Sequence, residues 1–146
     1  MGMITTVQAG FIGLALLAAG PAQALEIQGL KSPGGAVFWL VEEPSIPIVA
    51  LEISFAGGAR LDPDGRSGLA NMMAGLIEEG SGDLDAVGFS KARDEVSARF
   101  GFSAGRDRID ISARMLVETL EPSVALLATA LAAPRFDPEP VERVRA

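Results

Sequence analysis

Few side chains in this sequence are equipped for chemistry. Its 146 residues include no cysteine, histidine or tyrosine, which removes zinc fingers, imidazole-ligated metals, haem, and any Cys or Ser nucleophile paired with a histidine base. Any metal would have to sit on carboxylates alone. Glu78-Glu79 is a carboxylate pair, but adjacent helix positions point about 100° apart, so the pair reads as a solvated face. Gly57-Gly58 and Gly80-Ser81-Gly82 lack both the lysine of a phosphate loop and dinucleotide-loop spacing, and read as turn and cap glycines. Trp39 lies in an apolar run and reads as core. A net charge of −7, a pI near 4.5 and scattered arginines oppose nucleic-acid binding.

The elements that must position these groups alternate between two periodicities. Ala36–Val41 is apolar on both faces and predicts an interior strand. Ile48–Phe55 places Val49, Leu51, Ile53 and Phe55 on one side and Glu52 and Ser54 on the other, a half-solvated strand. Gly57-Gly58 and Asp62-Pro63-Asp64-Gly65 form a loop. Ser67 then predicts a helix cap, with Leu69, Met72, Met73 and Leu76 as the buried stripe and Asn71, Ala74, Gly75 and Glu78 opposite. Asp85 caps a second helix with Phe89, Ala92 and Val96 inward and Gly101 as its left-handed stop.

Arg108–Met115 alternates most cleanly, with Ile109, Ile111, Ala113 and Met115 on one face. A strand over Phe102–Gly105 is only weakly marked, because Gly101 and Gly105 bracket it. Leu120, Val124, Leu127 and Leu131 mark a helix that holds Pro122 in its first turn and stops at Pro134. Asp137–Ala146 opens another helix and ends in mid-run, the mark of a truncated domain. The order β, β, α, α, β, α, α specifies an α+β fold, a mostly antiparallel sheet with helices packed on one face.

Residues 1–24 carry no charge, and the apolar run Ala9–Ala19 is too short for the roughly 20 residues of a membrane span. Gly20-Pro21 and Ala22-Gln23-Ala24 follow, an A-x-A cleavage pattern. The reading is a secretory signal cut near Ala24, although Met1–Gln8 lacks the usual basic residue. Residues 25–146 would then form one periplasmic or secreted domain without a membrane anchor, held by its core rather than by disulfides.

The stretch Gly58–Gly82 (G-A-R-L-D-P-D-G-R-S-G-L-A-N-M-M-A-G-L-I-E-E-G-S-G) resembles the front of the insulinase, or pitrilysin, family of zinc peptidases. There a strand ends in G-S-R-x-E-like residues, and a helix opens with G-x-A-H-x-x-E-H and closes near G-T. Gly58-Ala59-Arg60-Leu61-Asp62 fits the strand end, Gly68-Leu69-Ala70 the helix opening and Gly80-Ser81 its close. Phe100-Gly101, the strand at Arg108 and Pro134-Arg135-Phe136 extend the likeness over residues 30–146. The fold implied is a half-domain like that of mitochondrial processing peptidase.

This resemblance aligns Asn71 with the first zinc histidine, Ala74 with the water-activating glutamate and Gly75 with the second histidine. None of the three can bind zinc strongly or take a proton. No catalytic, cofactor-binding or metal-binding residue is therefore expected in this chain. Family members often work in pairs, in which one subunit keeps H-x-x-E-H and the other keeps only the fold. The resemblance thus implies a heterodimer with a catalytic insulinase-like subunit that holds the zinc, and a peptide substrate enclosed between them. The alternatives are an exported interaction protein unconnected with proteolysis, or an active zinc peptidase with atypical ligands.

Overall fold

The computed structural model describes residues 26–145. The expected export leader and its cleavage point near Ala24 lie outside the described residues. Among these residues no helix is long and apolar enough to cross a membrane. The chain divides into two units, Met1–Pro44 and Ser45–Ala146.

In the described part of the first unit, β1 (Ile27–Lys31) pairs antiparallel with β2 (Val37–Val41). The interior strand expected over Ala36–Val41 is instead half of a two-stranded ribbon, and Trp39 is 80% exposed rather than core. A lone ribbon has no second layer against which to bury either face, so apolarity on both sides does not become burial within this unit.

The second unit is built on a three-stranded antiparallel sheet of β3 (Ile48–Ala56), β6 (Arg99–Ala104) and β7 (Arg108–Leu116), in the order β3-β7-β6. Register pairs Leu51 and Phe100 with Ala113, and Ile53 and Phe102 with Ile111, so small Ala113 lies between two large neighbours. The alternation predicted for β3 and β7 holds: Ile111, Ala113 and Met115 are buried, and Val49, Leu51 and Ile53 pack against them. Glu52, Ser54, Asp110, Ser112 and Arg114 share the opposite face, which is polar.

Four helices, α1 (Leu69–Leu76), α2 (Ala86–Glu95), α3 (Leu120–Ala132) and α4 (Pro138–Arg145), complete the described residues. Leu127 of α3 and Val96 after α2 pack on the apolar face of the sheet. Ile77 after α1, Phe89 of α2 and Ala130 of α3 close around Phe100 and Phe102 of β6. The rings of Phe89 and Phe100 lie 6.5 Å apart in a tilted arrangement, a favourable aromatic geometry. The fold is the expected α+β arrangement with an antiparallel sheet.

Several local expectations are corrected. Gly101 does not stop α2; it lies inside β6, and Ser97 takes the left-handed turn (φ 54°). A β-carbon at Gly101 would stand 2.8 Å from the Ser112 hydroxyl, which would have to rotate away. The weakly marked strand near Phe102 is thus a full sheet member. In α3 the buried stripe runs through Ser123, Leu127 and Ala130, while Val124 and Leu131 are exposed. Ser123 tolerates burial because its hydroxyl donates to the Thr119 carbonyl at 2.7 Å. Gly80-Ser81-Gly82 does more than end a helix: β4 (Gly80–Ser81) and β5 (Leu84–Asp85) form a small hairpin, to which Pro134-Arg135 adds through the Arg135 amide and the Gly80 carbonyl.

Candidate functional site

The helix that carries the motif positions is held from three directions. At its entrance, Gly57 and Gly58 lead from β3 into a short 3-10 turn (Ala59–Leu61). The amides of Gly57, Ala59 and Arg60 donate to the carbonyls of Asp107, Gly105 and Arg106, each at 2.9 Å. This stitches the loop to the β6–β7 turn. Gly58 has φ 81°, and a β-carbon there would lie 2.4 Å from the Gly105 oxygen. Only glycine fits both the backbone angle and the gap.

Ser67 was expected to cap α1, but the cap position is Gly68, in the left-handed region at φ 94°, and no side chain at that position bonds. The carboxylate of Asp62 reaches across the loop instead, accepting from the Gly68 amide at 2.7 Å and the Ala70 amide at 2.9 Å. A charge-assisted pair of bonds at the positive end of the helix is a stronger cap than one hydroxyl. The sequence reading missed this role for Asp62. Its only local sign was a carboxylate before Pro63 in a turn-forming stretch.

At the far end, Glu78 and Glu79 are separated by their partners. Glu78 accepts from Arg93 of α2 at 2.7 Å, and Glu79 pairs with Arg143 of α4. The Arg93 guanidinium is held above its ordinary pKa chiefly by the hydrogen bond to Glu78. The two carboxylates thus brace α1 against two different helices; half-buried and ion-paired, they do not form the solvated face that the sequence suggested, because each finds an arginine on a packed helix. On the flank, α4 supplies Val144, whose Cγ1 lies 3.4 Å from where a Gly75 β-carbon would stand.

The phase of α1 differs from the expected one. Leu76 is buried as predicted, but Leu69 is 45% exposed and Ala74, expected on the open face, is only 5% exposed. Packing α1 beside β6 favours a small residue at the closest approach, so Ala74 turns inward and Leu69 turns out. Asn71 and Gly75 remain on the exposed side. The structure therefore brings Asn71 and Gly75 onto one surface and withdraws Ala74 from it.

Two cavities flank the helix. An open cleft of about 820 Å³ is bordered by Arg66, Ser67, Leu69, Asn71, Met72 and Arg145 among others. An apolar cavity of about 510 Å³, which shares Leu69 and Met72 with the cleft, is walled also by Leu61, Met73, Ile109 and Phe136 among others. Among the described residues, no group of three or more His, Cys, Asp or Glu is placed to hold a metal ion. The donor set at the motif does not fit zinc: one exposed amide, one buried methyl and one glycine offer neither an imidazole nor a base for a metal-bound water.

A three-stranded antiparallel sheet, helices on its apolar face and a capped helix beside an edge strand make up the α+β unit that carries the candidate site. The chain belongs to the insulinase family (peptidase family M16), whose sequence profile matches residues 37–146. A Helicobacter pylori (strain ATCC 700392 / 26695) protein named non-peptidase homolog YmxG is 25% identical over 143 residues, covering 98% of this chain and 32% of its own length. The chain thus spans about a third of that curated relative. The crystal structure of a peptidase M16 inactive domain from Pseudomonas fluorescens matches with a TM-score of 0.75 at 26% identity, over 83% of this chain and 30% of that one. Pitrilysin shares the fold at 22% identity and a TM-score of 0.69, over 85% of this chain and 13% of its own. This chain is an insulinase-family homologue that lacks the H-x-x-E-H motif.

Proposed function

We propose that this chain is a non-catalytic subunit of a periplasmic insulinase-like peptidase pair, helping to enclose and bind peptide while a partner subunit supplies the zinc site. The observation that carries this reading is the contrast within α1. The helix is folded, capped by Asp62 and braced by Arg93 and Arg143, yet its motif positions Asn71, Ala74 and Gly75 hold no group able to bind zinc or activate water. A scaffold maintained around a missing reaction centre suits binding rather than turnover.

Two features support the peptide role. β6 is an edge strand of its sheet, next to β7 only, and an extended peptide adds to such an edge through main-chain hydrogen bonds. The apolar cavity beside α1 offers room for an apolar side chain. The names of the Helicobacter relative and of the Pseudomonas domain support the loss of peptidase activity. The uncharged leader with its A-x-A pattern at Ala22–Ala24 supports export.

The test is co-expression of the full-length protein with a homologue that keeps H-x-x-E-H. The expected result is a stable heterodimer that cleaves unfolded peptide, with no cleavage by this chain alone. No association, together with unaltered cleavage by the homologue alone, would overturn the proposal in favour of an exported interaction protein. Chelator-sensitive cleavage by this chain alone would favour an active peptidase with atypical ligands.

A further inference from the structure

We propose that the cleft beside the degenerate motif is a carboxylate-binding site, and that it grips an acidic group of the peptide that the proposed pair encloses; the peptide part rests on the function proposed above. The cleft of about 820 Å³ opens where Asn71 faces outward, on the side of α1 that the family resemblance assigns to metal binding. Its charged lining is the reverse of a cation site. Arg66 from the loop and Arg145 from α4 both border it, and among the described residues no acidic side chain does. The chain as a whole carries a net charge of −7, so a cleft with two cations and no anion is a local inversion of the protein's charge. A concave site of one sign concentrates ligands of the other.

The two guanidinium groups are also uncommitted. Among the described residues, the arginines at 60, 93, 108, 135 and 143 each pair with a carboxylate; Arg66 and Arg145 pair with none, as do Arg99, Arg106 and Arg114, but of these five only Arg66 and Arg145 border this cleft. A guanidinium binds a carboxylate through two parallel N–H donors. The Asn71 amide and the Ser67 hydroxyl, which border the same cleft, add neutral donors to a bound anion. Asp62 already occupies the Gly68 and Ala70 amides, so the side chains and not the helix end would form the site. A place that suits a cation in active relatives is here built to take an anion.

The test uses the full-length protein and fluorescently labelled versions of one short unstructured peptide. One has a free C-terminal carboxylate and a central Gln, one is amidated with a central Glu, and one is amidated with a central Gln. At least one carboxylate version should bind about tenfold or more tightly than the neutral version, and which one does so identifies the source of the carboxylate. Arg66→Gln and Arg145→Gln should each cost about tenfold, and the double variant should erase the preference while melting at the wild-type temperature. Equal binding of all three peptides, or a preference that survives the double substitution, would overturn the site. If no peptide binds, succinate followed through the backbone amide NMR resonances of residues 65–69, 71 and 72, which border the cleft and are present in the double variant too, separates the two claims. Saturable shifts, lost in the double variant, would sustain the anion site while the peptide reading falls; no shifts would remove the site as well.

Discussion

Ala74→Glu places a carboxylate on a β-carbon position that is only 5% exposed, in the helix face turned towards the core. Two costs add. Overpacking a filled site costs about 1–3 kcal/mol, and keeping the new group ionised against burial raises its pKa above the unfolded value of about 4.3. A rise of two units would cost about 2.7 kcal/mol once the pH exceeds both values. The sign follows from proton counting. Between the two pKa values the folded state binds more protons than the unfolded state, so stability falls as pH rises. The variant should therefore be less stable than wild type by about 4–6 kcal/mol at pH 8, roughly 15 °C in melting midpoint, and by only about 1–3 kcal/mol near pH 4. Asn71→Glu, on the exposed side of the same helix, should stay within about 0.5 kcal/mol at both pH values. Urea denaturation of the two variants across this range provides the measurement. Equal midpoints for Ala74→Glu and Asn71→Glu at pH 8, or a deficit that does not change with pH, would refute the inward placement of Ala74.

Gly58→Ala drives a β-carbon to 2.4 Å from the Gly105 oxygen at a left-handed backbone angle, and should destabilise by about 3 kcal/mol or more in urea titration. Gly65→Ala, also left-handed but with open space around it, should cost only about 1–2 kcal/mol, and equal losses would show that the close approach is absent. Asp62→Ala should cost about 1–2 kcal/mol by removing the acceptor of two α1 amides, with Asp62→Asn recovering part of it; a neutral Asp62→Ala would remove the carboxylate cap. Leu76→Asp, at a position 4% exposed, should yield no soluble, cooperatively melting protein, because the new charge has no partner in the core.

The strands that alternate strictly were legible from residues alone. In β3 and β7, Leu51, Ile53, Ile111 and Ala113 share one buried face and charged or hydroxyl side chains share the other, so a period of two survives into the structure. The helices were legible in position but not in phase. The largest apolar side chains were assigned inward, yet α1 and α3 bury the small Ala74, Ser123 and Ala130 and leave Leu69, Val124 and Leu131 exposed. Close helix packing selects volume as well as polarity, and a hydrophobic pattern registers only the second. β6 was only weakly marked because Gly101 interrupts strand patterning, although a glycine is accommodated within a sheet member whose neighbours Phe100 and Phe102 pack on the core. At the candidate site, the lack of any histidine that could make up H-x-x-E-H was visible because it depends on residue type alone. The capping reach of Asp62 and the placing of Arg66 and Arg145 on one cleft depend on how the loop folds back and where α4 lies, and no local spacing encodes either.

Metal analysis of the purified full-length protein, isolated without a partner and exposed to excess zinc before desalting, tests the central claim most directly. The expected outcome is well below one zinc per chain, no chelator-dependent change in melting temperature and no cleavage of unfolded peptide. One tightly held zinc per chain, lost together with peptide cleavage on chelation, would contradict it.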